Sequence, residues 1–266
     1  MPLAMNNLGT AYYFVWASGQ IALLILVILL FRRGNHRQYP YFTVYTLSNL
    51  GQTGLLLFSF YYWGVRWSKQ TVIMGWLAVG LTLAARTFAI AELTRRILAS
   101  YRGIWRVAWR LIAAGAAGVL VYAAVFSRWS WYSARLKADR GMELALTAVV
   151  AILFVFCRYY QVQMSRADRF IGIGFMLYSS MVVISHTLLE RFFYQYRSFW
   201  NITITLTFFV STTLWIRALW SPVPKPVSRG AMLPGEFYRA LSPEINLRLR
   251  ALDQQLSTLW KAELRQ

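Results

Sequence analysis

Cysteine is nearly missing from this chain, with one residue, Cys157, among 266. A single thiol rules out an intramolecular disulfide framework and any cysteine-rich metal site. Its place at the end of an apolar run calls for nothing beyond filling space. Acidic residues are scarce too, 9 Asp and Glu against 28 Lys and Arg. Charge of both signs makes up 14% of the chain, where a soluble domain carries about 25%. So few charges cannot dress a water-facing surface, which excludes an ordinary soluble globular protein. Strand-like runs leading into glycine-rich turns are also lacking, and with them the phosphate-cradling loops of nucleotide-binding folds.

What is abundant is apolar surface: 58% of residues are apolar and 17% aromatic. A helix rises 1.5 Å per residue, so about 20 apolar residues cross a hydrocarbon core of roughly 30 Å. Seven stretches approach or exceed that length: Tyr12 to Phe31, Tyr41 to Trp63, Thr71 to Leu93, Val107 to Phe126, Met142 to Cys157, Phe170 to Leu189 and Phe199 to Leu219. The fifth is the shortest, with Tyr159 and Tyr160 available to carry it into the interface. The first has no basic region before it and no small-residue cleavage site after it, so it is expected to stay as a span. The expected fold is all-α: a polytopic membrane protein with a seven-transmembrane-helix bundle over 1–220. A Pro-rich linker over 221–241 and a short cytoplasmic amphipathic helix over 242–266 follow it.

The net charge of +19 could point to nucleic acid, but the basic residues fall between long apolar runs. That is the pattern by which membrane proteins fix their orientation. With the N-terminus outside, 19 Lys and Arg lie on the cytoplasmic side, 8 lie outside, and Arg86 sits within a span. The expected location is a cell membrane, most simply a bacterial inner membrane, with the C-terminus cytoplasmic. The lipid bilayer is the expected partner and nucleic acid is not. Trp and Tyr mark both interfaces, densely on the outer rim (Tyr12, Trp16, Tyr61, Tyr62, Trp129, Trp200) and also on the inner (Tyr39, Tyr41, Trp105, Trp220).

After the last span, SPVPKPVSRG cannot be helical and reads as a stiff linker. Ser242-Pro243-Glu244 then has the form of a helix start. Ile245, Leu249, Leu252, Leu256 and Leu259 follow at alternating spacings of four and three. Such a seam suits a helix lying on the membrane surface, or one used for self-association or docking a protein partner.

Polar residues inside spans are costly and therefore candidates for function. Arg86 is expected to meet Asn49, Gln52 and Thr46 of the second span. Glu92 precedes Arg95 and Arg96 by three and four residues, an exposed pairing. A second group gathers at the outer end: His186 and Glu190 one turn apart on the sixth helix, Glu143 starting the fifth and Asn201 starting the seventh. Together they are candidates for a titratable ligand-binding cup. No metal site and no cofactor is implied.

Several seven-helix chemistries are excluded residue by residue. The last span has no lysine for a retinal Schiff base. Only His36 and His186 exist, short of the three or so histidines of a zinc hydrolase. A Gly-x-Ser-Gly nucleophile turn is absent. An enzyme is not expected. The overall plan looks like that of seven-helix membrane sensors, a likeness of architecture alone. The first expectation is therefore a receptor-like sensor signalling through a partner. A scaffold subunit of a larger complex and a small-solute or ion transporter stand as alternatives. Gly51 with Gly54, and Gly172 with Gly174, are the candidate helix interruptions a transporter would use.

Overall fold

The computed structural model describes residues 10–63, 69–99, 102–126, 131–159, 162, 164–191, 197–223, 247 and 250–255. Among the described residues, seven long helices follow one another: α1 (Thr10–Arg32), α2 (Pro40–Trp63), α3 (Lys69–Ile97), α4 (Arg102–Phe126), α5 (Trp131–Tyr159), α6 (Arg166–Arg191) and α7 (Arg197–Leu219). No strand occurs among the described residues. Of the expected C-terminal helix, 250–255 is helical; the linker from 224 onward and the rest of the leucine seam lie outside the described residues.

Among the described residues, five helical segments are long and apolar enough to cross a membrane: Tyr12–Arg32, Ile73–Ile97, Ala138–Tyr159, Arg166–Leu188 and Phe199–Leu219. α2 is not one of them, and its middle carries Ser48, Asn49, Gln52 and Thr53. α4 is not one either, and it begins with Arg102, Arg106 and Arg110. The outward faces carry many large apolar residues: Ile21, Leu24, Ile28, Leu57, Leu77, Leu81, Leu111, Val121, Ile152 and Val155 are all exposed. Such a belt fits the hydrocarbon of a bilayer.

The fifth helix differs most from the expectation. It begins at Trp131 and not near Met142. The apolar window stops where Arg135, Lys137, Asp139 and Arg140 begin, but helicity does not. The stretch 131–140 contains neither glycine nor proline, and its Arg, Lys, Leu and Ala are good helix formers. α2 and α6 run unbroken through their glycine pairs. A Cβ at Gly172 would stand 2.8 Å from Phe154, and one at Gly174 would collide with the Trp215 indole. Those two glycines serve close packing and do not interrupt the helix.

α1, α2, α3, α5, α6 and α7 pack in a closed ring, in the order α1–α2–α3–α5–α6–α7 and back to α1. α4 stands outside it, mainly against α5. The half of the ring nearer the loops after α1, α3 and α5, the basic side, is filled by Phe42, Tyr45, Phe175 and Trp215, all fully buried. Their rings lie 5.1 to 6.2 Å apart, and the Trp215 indole donates to the Ile171 carbonyl at 3.2 Å.

A polar knot ties the basic side together. Gly34, at φ 71°, reverses the chain after α1, a conformation glycine adopts without strain. Asn35, fully buried, then donates to the carbonyls of Leu219 (3.0 Å) and Ser221 (3.4 Å) and accepts from the Val223 amide (3.0 Å). Gln38 donates to the Val223 carbonyl. The Tyr39 hydroxyl donates to Asp168 at 2.8 Å, and Arg96 reaches the same carboxylate at 3.3 Å while lying over the Tyr39 ring. Ser165 caps α6, its hydroxyl accepting from the Asp168 amide. Glu92 is not an exposed partner of Arg95: its carboxylate accepts from the Phe42 amide at 3.0 Å and so caps α2.

Candidate functional site

In the other half of the ring, on the side where α1, α3, α5 and α7 begin, the helices line an open cavity of about 330 Å³. All six ring helices line it and α4 does not. Its floor is a buried ion pair between Arg86 of α3 and Glu143 of α5, exposed by 6% and 3% at their side chains. Arg86 Nη1 donates to Glu143 Oε1. The guanidinium is bracketed by two phenol rings, with centroids at 4.8 Å for Tyr178 and 5.4 Å for Tyr45, a favourable placement for a desolvated cation. Two atoms of the pair, Arg86 Nε and Glu143 Oε2, are buried without a hydrogen-bond partner.

The expected partners of Arg86 are thus corrected. Asn49 lines the cavity but donates to the Tyr45 carbonyl at 2.9 Å. Gln52 also lines it and accepts from the Thr82 hydroxyl at 2.9 Å. Thr46 donates to its own helix, at Thr43.

The outer cup is corrected as well. Because α5 starts at Trp131, Glu143 lies roughly 18 Å along the helix at 1.5 Å per residue, and its partner Arg86 is near the middle of the apolar segment Ile73–Ile97, so the pair is at mid-depth and not at the rim. Asp139, one turn earlier, takes the place expected of Glu143: its carboxylate stands 3.9 Å from His186 Nδ1, and both line the cavity. Asn201, half-buried in the second turn of α7, accepts through its backbone carbonyl from the Thr205 hydroxyl and is not part of the lining. Glu190 is in the last turn of α6, and its side chain lies outside the described residues.

The remaining lining combines Gln20, whose Oε1 is also unpartnered, with an apolar wall that includes Trp16, Leu56, Val182, Ile204 and Phe208. Sequence reasoning missed Asp139, Gln20 and Tyr178. The spacing of Asp139 and Glu143, four apart on one helical face, was the available signal, hidden by starting the helix too late.

Five apolar helices, an apolar outer belt and a polar chamber held inside them define a multi-pass integral membrane protein. No family model, curated protein or solved structure matches the chain.

Proposed function

We propose that this chain is a seven-pass, receptor-like membrane sensor that binds a small solute in the chamber and passes its occupied state to a protein partner. α2 and α4 then supply the two further crossings. The 19 to 8 distribution of basic residues favours an outer N-terminus and a cytoplasmic C-terminus, in a bacterial inner membrane. The role is binding and not catalysis, with the output borrowed from the partner through the basic side or the C-terminal helix.

One observation carries the reading: six helices converge on a polar cavity whose floor keeps one donor and one acceptor unused. Beneath that floor the Phe42, Tyr45, Phe175 and Trp215 cluster fills the ring, and the polar knot ties the end. This supports a one-ended chamber over a through path. The unbroken α2 and α6 point the same way, since many transporters hold their ions at interrupted helices.

The test is thiol labelling from each side. In a Cys157→Ser background, Val182→Cys and Thr53→Cys place thiols in the chamber. A charged, membrane-impermeant methanethiosulfonate should modify both in right-side-out vesicles and neither in inverted ones. Labelling from both sides would replace the sensor with a transporter, and labelling from neither would leave the scaffold.

A further inference from the structure

A ligand for the proposed chamber has to satisfy the groups at its floor. Arg86 and Glu143 cancel each other's charge, and both are buried. A monovalent cation or anion seated directly against the pair, one turn below Asp139 and His186, would leave one charge uncompensated at the floor, which is costly in a low-dielectric interior. A molecule of zero net charge adds no such cost. Both side chains line the cavity, and each keeps one buried atom without a hydrogen-bond partner, the acceptor Glu143 Oε2 and the donor Arg86 Nε. They belong to two groups already in contact, so the complementary donor and acceptor on the ligand must also be close together. Hydrogen bonds between ionised groups are about twice as strong as neutral ones, which favours charged ends over an amide.

We propose, building on the chamber reading above, that the site takes a small zwitterion of the amino-acid type. Its ammonium group pairs with the Glu143 carboxylate and its carboxylate with the Arg86 guanidinium, both of which line the cavity. The apolar lining residues Leu56, Val182, Ile204 and Phe208, with Trp16, receive an apolar side chain. A volume of about 330 Å³ is at the small end of ligand pockets, which run from roughly 300 to 1,000 Å³. That size suits an amino acid.

Equilibrium binding to the protein in nanodiscs tests this with three probes that share one branched side chain: L-leucine, isopentylamine and 4-methylpentanoate. Glycine and L-phenylalanine bracket the size. L-leucine or L-phenylalanine should bind saturably, with the amine and the acid at least tenfold weaker. The double variant Arg86→Gln/Glu143→Gln, which keeps a neutral floor, should weaken zwitterion binding at least tenfold. Val182→Phe, which narrows the chamber without touching the pair, should abolish it and serves if the double variant does not fold. Equal binding of the amine or the acid, unchanged affinity in either variant, or no binding of all three zwitterions would overturn the proposal. Thiol labelling at Val182 reports the chamber without any ligand. Labelled protein that binds no zwitterion sinks the ligand class alone, whereas unlabelled protein sinks the chamber.

Discussion

A guanidinium and a carboxylate that meet inside a bundle depend on each other more than on anything else nearby. Removing one leaves the other buried and unmatched, which costs about 3–5 kcal/mol, while removing both can be nearly neutral. Glu143→Gln and Arg86→Leu are therefore each expected to destabilise the protein by about that amount, and Arg86→Gln/Glu143→Gln to recover most of the loss. Unfolding in detergent followed by circular dichroism checks this; additive losses in the double variant would show that the two residues are not coupled. Arg86 was legible in the sequence because a charge within an apolar run stands out. Its partner was not. Hydropathy ended the fifth span at the charges of Arg135 to Arg140 and so set Glu143 at the rim, although nothing in those residues stops a helix. The same error hid Asp139.

At the scale of elements, the basic side is held by side chains that cap or clasp helices far away in sequence. Burial, and then the negative charge of Asp168, hold the Tyr39 phenol above the ordinary tyrosine range, which is about 10. The contribution of Tyr39 is thus complete below that range and is lost as pH climbs above it, where a phenolate would face the carboxylate. Tyr39→Phe should lower stability at neutral pH by about 1 kcal/mol and make the alkaline decline shallower. Thermal unfolding between pH 7 and 11 measures both, and an unchanged alkaline slope would remove Tyr39 from the account. None of this could be read beforehand. Asn35 has the composition of any loop, Tyr39 looked like a headgroup anchor, and Glu92 was matched to its nearest neighbours because sequence shows only those. Their partners, Leu219, Asp168 and Phe42, are fixed by how the helices pack.

For the whole molecule, composition and run length gave the all-helical class and the helices themselves, because lipid burial demands a minimum apolar length. They could not give the order of neighbours around the ring, since every span meets lipid on one face and protein on the other. The position of α4 outside the ring was equally invisible. One consequence of the closure concerns the order of synthesis. Asn35 and Leu219 are 184 residues apart, and α1 packs directly on α7. At about 5–20 residues per second, the first helix waits on the order of 10–40 s for the last to leave the ribosome. Until then the groove for Trp215 is empty and the faces of α1 and α6 that α7 covers are bare. A chain stopped at residue 191 should therefore be degraded rapidly in a pulse-chase experiment. Co-expressing 192–266 as a separate polypeptide should restore its lifetime. Equal lifetimes with and without that fragment would mean that the ring tolerates an open seam, and that quality control does not monitor its closure.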